Sequence, residues 1–117
     1  MTEDELEAIR ASDPDPLGLM DVMELIAPEA RVTGWSRLHG GFGAAVHRIE
    51  VTMPSGAETA FVLRRYLPES GDDGTTATRT AATLEALKGS LVPAPSVLWL
   101  DADGVVFDRP ALAMTLL

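Results

Sequence analysis

A short segment in the first half of this 117-residue chain has a composition suited to binding a phosphate. Its sequence is His39-Gly40-Gly41-Phe42-Gly43, here called the glycine segment. A loop without side chains lets backbone N–H groups approach phosphate oxygens closely. The alternative is a turn whose glycines only supply positive φ angles, and the segment taken alone favours that alternative. The neighbouring elements must therefore decide between the two.

Two adjacent arginines follow in a segment that is typical of a β-strand. Side chains alternate between the two faces of a strand, so in the sequence Phe61 to Arg65 the side chains of Val62 and Arg64 share one face. Arg65 takes the opposite face. A basic residue that faces inward on this strand favours phosphate binding by the glycine segment over a simple turn. The alternative for Arg64 is an ordinary exposed strand arginine, and that is our interpretation of Arg65.

Other candidate sites are weaker. His39 and His47 are the only histidines, and two imidazoles without an organised carboxylate cluster are typical of a loop residue and a strand residue rather than a metal site. The sequence Asp101 to Gly104 resembles the start of a calcium loop, but it lacks the closing glutamate, so we interpret it as a hairpin turn. Trp35 and Trp99 could form a ligand platform; packing in a small core is the default for strand aromatics.

Two short helices are predicted before the glycine segment. Thr2 and Glu5 form a capping box, which predicts a helix to about Arg10. Asp15 as N-cap with Pro16 at the first helical position predicts a second helix, and Pro28 ends it. Its apolar residues share one face and are Leu19, Val22, Met23 and Ile26.

Alternating apolar residues then predict a sheet. The predicted strands are Thr33 to Leu38, Ala45 to Met53, Thr59 to Tyr66 and the two arms of a final hairpin, which are Ser96 to Leu100 and, after the turn, Val105 to Phe107 with Ala111 to Leu117. A helix from Thr75 to Lys88 is predicted between the third and fourth strands, with Gly89 as its C-cap. Its apolar stripe consists of Thr80, Leu84, Leu87 and Leu91. We therefore predict an α+β fold with a five-stranded, mainly antiparallel sheet and one packed helix.

Composition restricts the class of protein. With 46% apolar and 23% charged residues, the chain is long enough for one globular domain. It has no cysteine, which rules out disulfides, thiol nucleophiles and iron–sulfur clusters, and no asparagine or glutamine. No apolar run approaches the roughly 20 residues that a bilayer needs, and the acidic start lacks the basic region of a signal peptide. We expect a cytoplasmic protein that does not bind membranes.

Charge is concentrated at the N-terminus. Residues 1–30 contain nine acidic residues against Arg10, a net charge of −8, out of −9 for the whole chain. Such a segment repels nucleic acid and anionic lipid, so we expect neither as a partner. It could dock a basic partner, although a solvated acidic helix face is the commoner explanation. We divide the chain into an acidic helical arm, residues 1–30, and a lobe, residues 31–117.

The order of these segments resembles that of the small lobe of the protein-kinase-like fold. Their amino-acid sequences resemble those of the aminoglycoside phosphotransferase family. The resemblance covers Val32 to Leu117 and rests on order and spacing. The segments that carry it are Leu38 to Gly43, Phe61 to Arg65, Ala82 to Leu87, Val92 to Leu98 and Pro110 to Thr115. The family implies ATP-dependent phosphoryl transfer to the hydroxyl group of a small molecule.

The resemblance also implies which residues bind ATP. Gly40, Gly41, Phe42 and Gly43 would cover the nucleotide phosphates. Arg64 would reach them from the third strand, where most kinases have lysine; arginine stays charged and offers a planar fork of donors. At the hinge, backbone groups of Thr115 and Leu117 would bind adenine, with Met114 and Val62 packed nearby.

Two departures from the family pattern affect the expected activity. Thr80 stands where the family usually has the helix glutamate that pairs with the strand base. Glu85 lies about 140° further around the helix and cannot replace it, which leaves the Asp72-Asp73 link as the other source of a carboxylate. Kinase-like transfer also needs a catalytic-loop aspartate and an asparagine and second aspartate for Mg²⁺, which in the family come from the large lobe.

We therefore expect a lobe that ends at the hinge, as in a fragment or truncated product, and that is inactive alone. The Mg²⁺ and the acceptor would be bound by the missing lobe. The hinge face around residues 114–117 would then be an exposed apolar patch, which favours homo-oligomers. The alternative function is a non-catalytic binding or regulatory module, favoured by Thr80 and the absent catalytic loop.

Overall fold

The computed structural model describes residues 2–39, 43–67 and 75–116. The elements in chain order are α1 (Glu3–Ala11), α2 (Pro16–Ile26), β1 (Arg31–Leu38), β2 (Ala44–Thr52), β3 (Glu58–Tyr66), α3 (Thr75–Leu87), β4 (Val97–Asp101) and β5 (Ala111–Thr115). The five strands form one sheet in the order β1-β2-β3-β5-β4, and every neighbouring pair is antiparallel. The predicted α+β fold with a five-stranded antiparallel sheet is confirmed. Over the described residues, no helix combines the length and apolar character needed to cross a bilayer.

The two N-terminal helices begin at the predicted caps. The Thr2 hydroxyl accepts a hydrogen bond from the backbone N–H of Glu5 at 3.1 Å. The Asp15 carboxylate accepts from the N–H of Leu17 at 3.1 Å, with Pro16 as the first helical residue. Each cap satisfies an N–H that has no partner within its helix, which explains why short side-chain oxygens at these positions fix the helix start.

Ion pairs attach the acidic helix α1 to the sheet. Arg10 contacts Glu3 at 2.7 Å and Glu7 at 3.2 Å, and Arg37 of β1 contacts Glu7 at 2.6 Å. Hydrogen bonds from Arg37 and then Arg10 lower the pKa of Glu7 below its ordinary value. Part of the negative charge of the N-terminal segment is therefore neutralised within the fold.

The sheet has two covered faces with separate cores. The α2 face carries Ile49, Phe61, Leu63 and Ala113, against which α2 packs Leu19, Val22 and Met23. The α3 face carries Ala44, Tyr66, Leu112 and Met114, against which α3 packs Ala77 and Ala81. Because strand side chains alternate, consecutive residues of β2 and β3 serve different cores.

The last strands differ from the prediction. Residues 105–107 were predicted as a strand, but they belong to the loop of residues 102–110 between β4 and β5. The Asp101 carboxylate holds this loop by accepting from the N–H of Val106 at 3.0 Å, and Gly104 has a φ of 71°. Phe107 leaves the sheet to meet Trp99 edge-on, with ring centroids 6.1 Å apart. Burial of Phe107 against the α2-face core outweighs the strand pattern.

The prediction of which α3 residues form the buried stripe was partly wrong. Its buried residues are Ala77 and Ala81, and Leu84 packs beside them. Leu91 is fully exposed because the helix ends at Leu87. Gly89, with a φ of 82°, follows the helix end as predicted, since glycine adopts this left-handed conformation at no steric cost.

Candidate functional site

Arg64 lies on the α3 face, in the middle of the sheet. In the register of β3 it stands between Val46 of β2 and Leu112 of β5. Val62, two residues earlier, pairs with Met114 of β5. Residues directly opposite each other in an antiparallel pair point to the same side. The sheet therefore gathers Arg64 and the apolar side chains of Val46, Val62 and Met114 on one face.

The Arg64 guanidinium retains donor capacity within this apolar setting. The residue is half-buried, and its Nε atom is buried without a hydrogen-bond partner. Within residues 2–39, 43–67 and 75–116, Arg64 forms no ion pair shorter than 4.0 Å. Leaving a buried donor unsatisfied costs about 1–3 kcal/mol. A ligand cannot reach the buried Nε, but the terminal nitrogens of the guanidinium are not among the buried, unsatisfied atoms and form no ion pair in the described part of the chain, so they can donate to an anionic ligand.

The C-terminal end of the glycine segment is fixed beside the same strand. The carbonyl of Gly43 accepts a hydrogen bond from the N–H of Leu67 at 2.9 Å, which joins the start of β2 to the end of β3. Ala44 then pairs with Tyr66, two residues along β3 from Arg64, which is a rise of roughly 6–7 Å. Space is open where a side chain would stand at Gly43. Gly40, Gly41 and Phe42 lie outside the described residues.

The end of β5 carries the predicted hinge residues. Met114 is buried in the α3-face core. The N–H of Thr115 donates to the carbonyl of Ser96 at 2.9 Å, and the Thr115 hydroxyl accepts from the Ser96 N–H at 2.8 Å. Since that N–H is already bonded, only the carbonyl of Thr115 could contact a ligand. Leu117 lies outside the described residues.

An open polar recess adjoins this end of the sheet. It has a volume of about 640 Å³ and is lined by Arg48, Glu50, Ala60, Thr115 and Leu116, among others. Arg48 pairs with Val62 across β2 and β3, so the recess borders the apolar surface described above. Its volume is within the range of about 300–1,000 Å³ that is usual for small-molecule sites.

Thr80 of α3 does not supply a charge to the site. The residue is half-buried, and its hydroxyl donates to the carbonyl of Thr76 at 2.9 Å. Glu85 is exposed on the helix. In the described part of the chain no carboxylate pairs with Arg64, and the Asp72-Asp73 link predicted as the other source lies outside it.

Arg65 was wrongly predicted as an exposed residue. It is 6% exposed, and its guanidinium donates to the carbonyl of Ser12 and, at 3.4 Å, to the carbonyl of Asp13. Burial lowers the pKa of Arg65, the Arg109 charge acts in the same direction, and Asp13 opposes both. The linker between α1 and α2 crosses the α2 face at this point. The sequence signal was the break at Asp13-Pro14, which leaves the last carbonyls of α1 without helical partners.

His47 and the tryptophans are structural residues. His47 is 1% exposed on the α2 face, opposite Leu63. Burial lowers its pKa, the Arg65 and Arg37 charges act in the same direction, and Asp13 opposes them. Trp35 and Trp99 pack against the α2-face core. Across the described ranges, no group of three or more histidine and acidic side chains could hold a metal ion.

Comparison with known proteins supports the fold. No protein-family model and no curated protein matches the chain. Among solved structures, it is similar to a "putative aminoglycoside phosphotransferase" from Ralstonia eutropha JMP134, with a TM-score of 0.61 and 19% identity. The similarity covers 90% of this chain and 28% of that chain. The described α+β fold is thus similar to part of that structure and consistent with a kinase-like small lobe, and the chain spans about a quarter of the solved protein's length.

Proposed function

We propose that the chain is the nucleotide-binding lobe of an ATP-dependent small-molecule phosphotransferase. The observation that carries the proposal is the position of Arg64. Its unpartnered Nε lies on the same sheet face as Val46, Val62 and Met114, close to the end of the glycine segment. A cation beside an apolar surface matches a ligand that joins a flat ring to a chain of phosphates. The similarity of the fold to part of a solved putative aminoglycoside phosphotransferase adds support.

Each residue of the proposed site has a distinct role. The backbone of Gly40 to Gly43 covers the phosphates, and the Arg64 guanidinium binds a phosphate oxygen through charge-assisted hydrogen bonds. Val62 and Met114 pack against adenine, while the Thr115 carbonyl and the backbone of Leu117 bind its polar edge. ATP would supply the phosphoryl group for transfer.

Transfer requires more than the nucleotide. An aspartate must orient the attacking hydroxyl, and further side chains must hold Mg²⁺. The lobe proposed here contributes neither, and it corresponds to 28% of the solved phosphotransferase-like chain. We therefore assign nucleotide binding to this lobe, and Mg²⁺ binding and the small-molecule acceptor to a second lobe.

A second candidate function is a non-catalytic binding or regulatory module. It is favoured by Thr80, because this side chain has no carboxylate that could pair with Arg64 and its hydroxyl donates to the backbone of its own helix. Such a module would keep the fold while having lost the geometry for catalysis. Binding of ATP to the isolated chain separates the two candidates, since only the first requires it.

The decisive experiment is a calorimetric titration of the chain with ATP, alongside Arg64→Met and Arg79→Met. Arg79 is exposed on α3, so its replacement removes the same charge from a solvent-exposed position. Charge-assisted hydrogen bonds contribute about 1.5–3 kcal/mol, so we expect Arg64→Met to weaken ATP binding at least about tenfold. Arg79→Met should bind within about twofold of the parent chain. Equal affinities for all three, or no binding at millimolar ATP, would refute the proposal.

A further inference from the structure

The helix α1 is attached to the rest of the fold mainly through charged groups. It lies against β2, and Leu6 is its only buried apolar residue. Among the described residues, neither hydrophobic core includes a residue of α1. One attachment is the ion pair of 2.6 Å between Glu7 of α1 and Arg37 of β1, and the other is the pair of hydrogen bonds from Arg65 to the carbonyls of the linker between α1 and α2. Elements with few buried apolar contacts are the first to open locally.

His47 of β2 lies between these two attachments. In the sheet register it stands directly opposite Arg37 of β1. It is one diagonal step from Arg65 of β3, which pairs with Ala45 two residues earlier on β2. The His47 side chain is 1% exposed, and its Nδ1 atom is buried without a hydrogen-bond partner. A neutral imidazole suits this position, whereas a protonated one would place a third buried positive charge between two arginines.

Two carboxylates lie near His47, one in α1 and one in the linker. Glu7 is already bonded to Arg37 at 2.6 Å and to Arg10 at 3.2 Å. These hydrogen bonds lower the pKa of Glu7 below its ordinary value of 4.5, so Glu7 stays ionised between pH 7 and pH 5. Asp13 of the linker favours a proton on His47, but its carboxylate forms no ion pair within residues 2–39, 43–67 and 75–116.

Positive charges and burial oppose that proton more strongly. Burial is the largest cause of the lowered pKa of His47, and the charges of Arg65 and Arg37 act in the same direction. Arg109, in the loop between β4 and β5, adds a further positive charge that lowers the pKa of Arg65. The imidazole can therefore accept a proton without this penalty only when water reaches it, which requires the cover formed by α1 and the linker to open.

We propose that a proton on His47 releases α1 and the linker from the sheet in mildly acidic solution. The sheet, α2 and α3 stay folded in the released state, because the two hydrophobic cores hold them together without α1. Release exposes Arg37, His47 and Arg65 as a positively charged strip in a chain whose net charge is −9. It is independent of the nucleotide site, which lies on the other face of the sheet.

Amide hydrogen exchange of the full chain at pH 7 and pH 5 distinguishes release of α1 from unfolding of the whole domain. The measured rates are corrected for the intrinsic pH dependence of exchange. We expect the protection of the α1 amides to fall at least about fivefold at the lower pH, while that of β3 and β5 falls less than about twofold. Unchanged protection of α1, or an equal loss in α1 and in the sheet, would overturn the proposal.

His47→Gln and His39→Gln assign the effect to one histidine. His39 is exposed, so His39→Gln should lose α1 protection at pH 5 as the parent chain does. In His47→Gln the protection of α1 at the two pH values should agree within about twofold, since no proton is gained in this window at position 47. Comparing each variant with itself removes any constant loosening that glutamine causes. The same pH-dependent loss in both variants would refute the role of His47.

Glu7→Gln tests the attachment while leaving His47 in place. It removes the ion pair with Arg37, so α1 should be released at a higher pH, with its protection at pH 6 at least about threefold below that of the parent chain. Glu5→Gln is the matched control, because Glu5 is exposed on the same helix and forms no ion pair in the described part of the chain. It should match the parent within about twofold. Equal protection in the two variants would show that the contact between Glu7 and Arg37 does not hold α1 and would contradict the proposal.

Discussion

Arg65 and Ser12 are 53 residues apart in sequence and are joined by a hydrogen bond from the Arg65 guanidinium to the Ser12 carbonyl. A second bond from Arg65 reaches the Asp13 carbonyl. Because Arg65 belongs to β3, these bonds fix the linker between α1 and α2 to the centre of the sheet. The adjacent Arg64 faces the opposite side. One strand therefore anchors the N-terminal helices with one arginine and presents the other to the candidate nucleotide site.

We expect Arg65→Met to lower the free energy of unfolding by about 1–3 kcal/mol, because it removes charge-assisted hydrogen bonds to the linker carbonyls. Urea denaturation measures the change. Arg79→Met, at an exposed position of α3, should alter the free energy by less than about 0.5 kcal/mol. An Arg65→Met variant as stable as the parent would show that the linker does not depend on this residue.

Gly18 of α2 is expected to be intolerant of a side chain because of Phe107. A Cβ atom at Gly18 would lie 2.6 Å from the Phe107 ring, which is itself held edge-on against Trp99. Overpacking of this kind costs about 1–3 kcal/mol, while alanine in place of glycine within a helix gains about 1 kcal/mol. We expect Gly18→Ala to be net destabilising in the parent chain.

The same substitution should become neutral or stabilising when Phe107 is replaced by leucine, since the clash is then removed. Thermal unfolding of both single variants and the double variant measures this coupling. Additive effects would contradict the contact between Gly18 and Phe107 as the cause.

His47 is expected to make stability depend on pH. Burial lowers its pKa in the folded state, so the unfolded state binds the proton more readily. Its contribution is therefore intact above the ordinary histidine pKa of 6.5 and is lost as pH falls from there towards the lowered folded value. We expect the free energy of unfolding to decrease between pH 7 and pH 5.

The variant His47→Gln should flatten this part of the pH profile. His39→Gln, at an exposed position, should retain the full dependence. Asp13, Arg65 and Arg37 also act on the pKa of His47. Identical profiles for the two variants would assign the pH dependence elsewhere.

Thr80→Glu tests whether the site lacks only its carboxylate. By the resemblance to the aminoglycoside phosphotransferase family, the introduced carboxylate would take the place of the glutamate that pairs with the strand base, so under the proposed function we expect a salt bridge to Arg64 and a change in ATP affinity of about threefold or more. Thr83→Glu, at an exposed position of α3, is the matched control and should leave affinity unchanged. Calorimetric titration measures both. The same ATP affinity in the two variants would show that a carboxylate at position 80 of α3 does not interact with Arg64.

The elements that depend on local chemistry are predictable from the sequence. These elements are the helix caps at Thr2 and Asp15, the glycine after α3 at Gly89, and the alternation that separates Val62 and Arg64 from Arg65. All of them involve neighbours within a few residues, so composition and spacing suffice to predict them.

Three features depend on the assembled fold instead: the burial of Arg65, the exposure of Leu91 and the loop conformation of residues 105–107. Each of these depends on a partner far away in sequence or on where an element ends: the Ser12 carbonyl for Arg65, Trp99 and Gly18 for Phe107, and the end of α3 for Leu91. Such contacts form only after the sheet and helices have assembled, because the free energy of burial depends on what the rest of the fold places opposite a side chain.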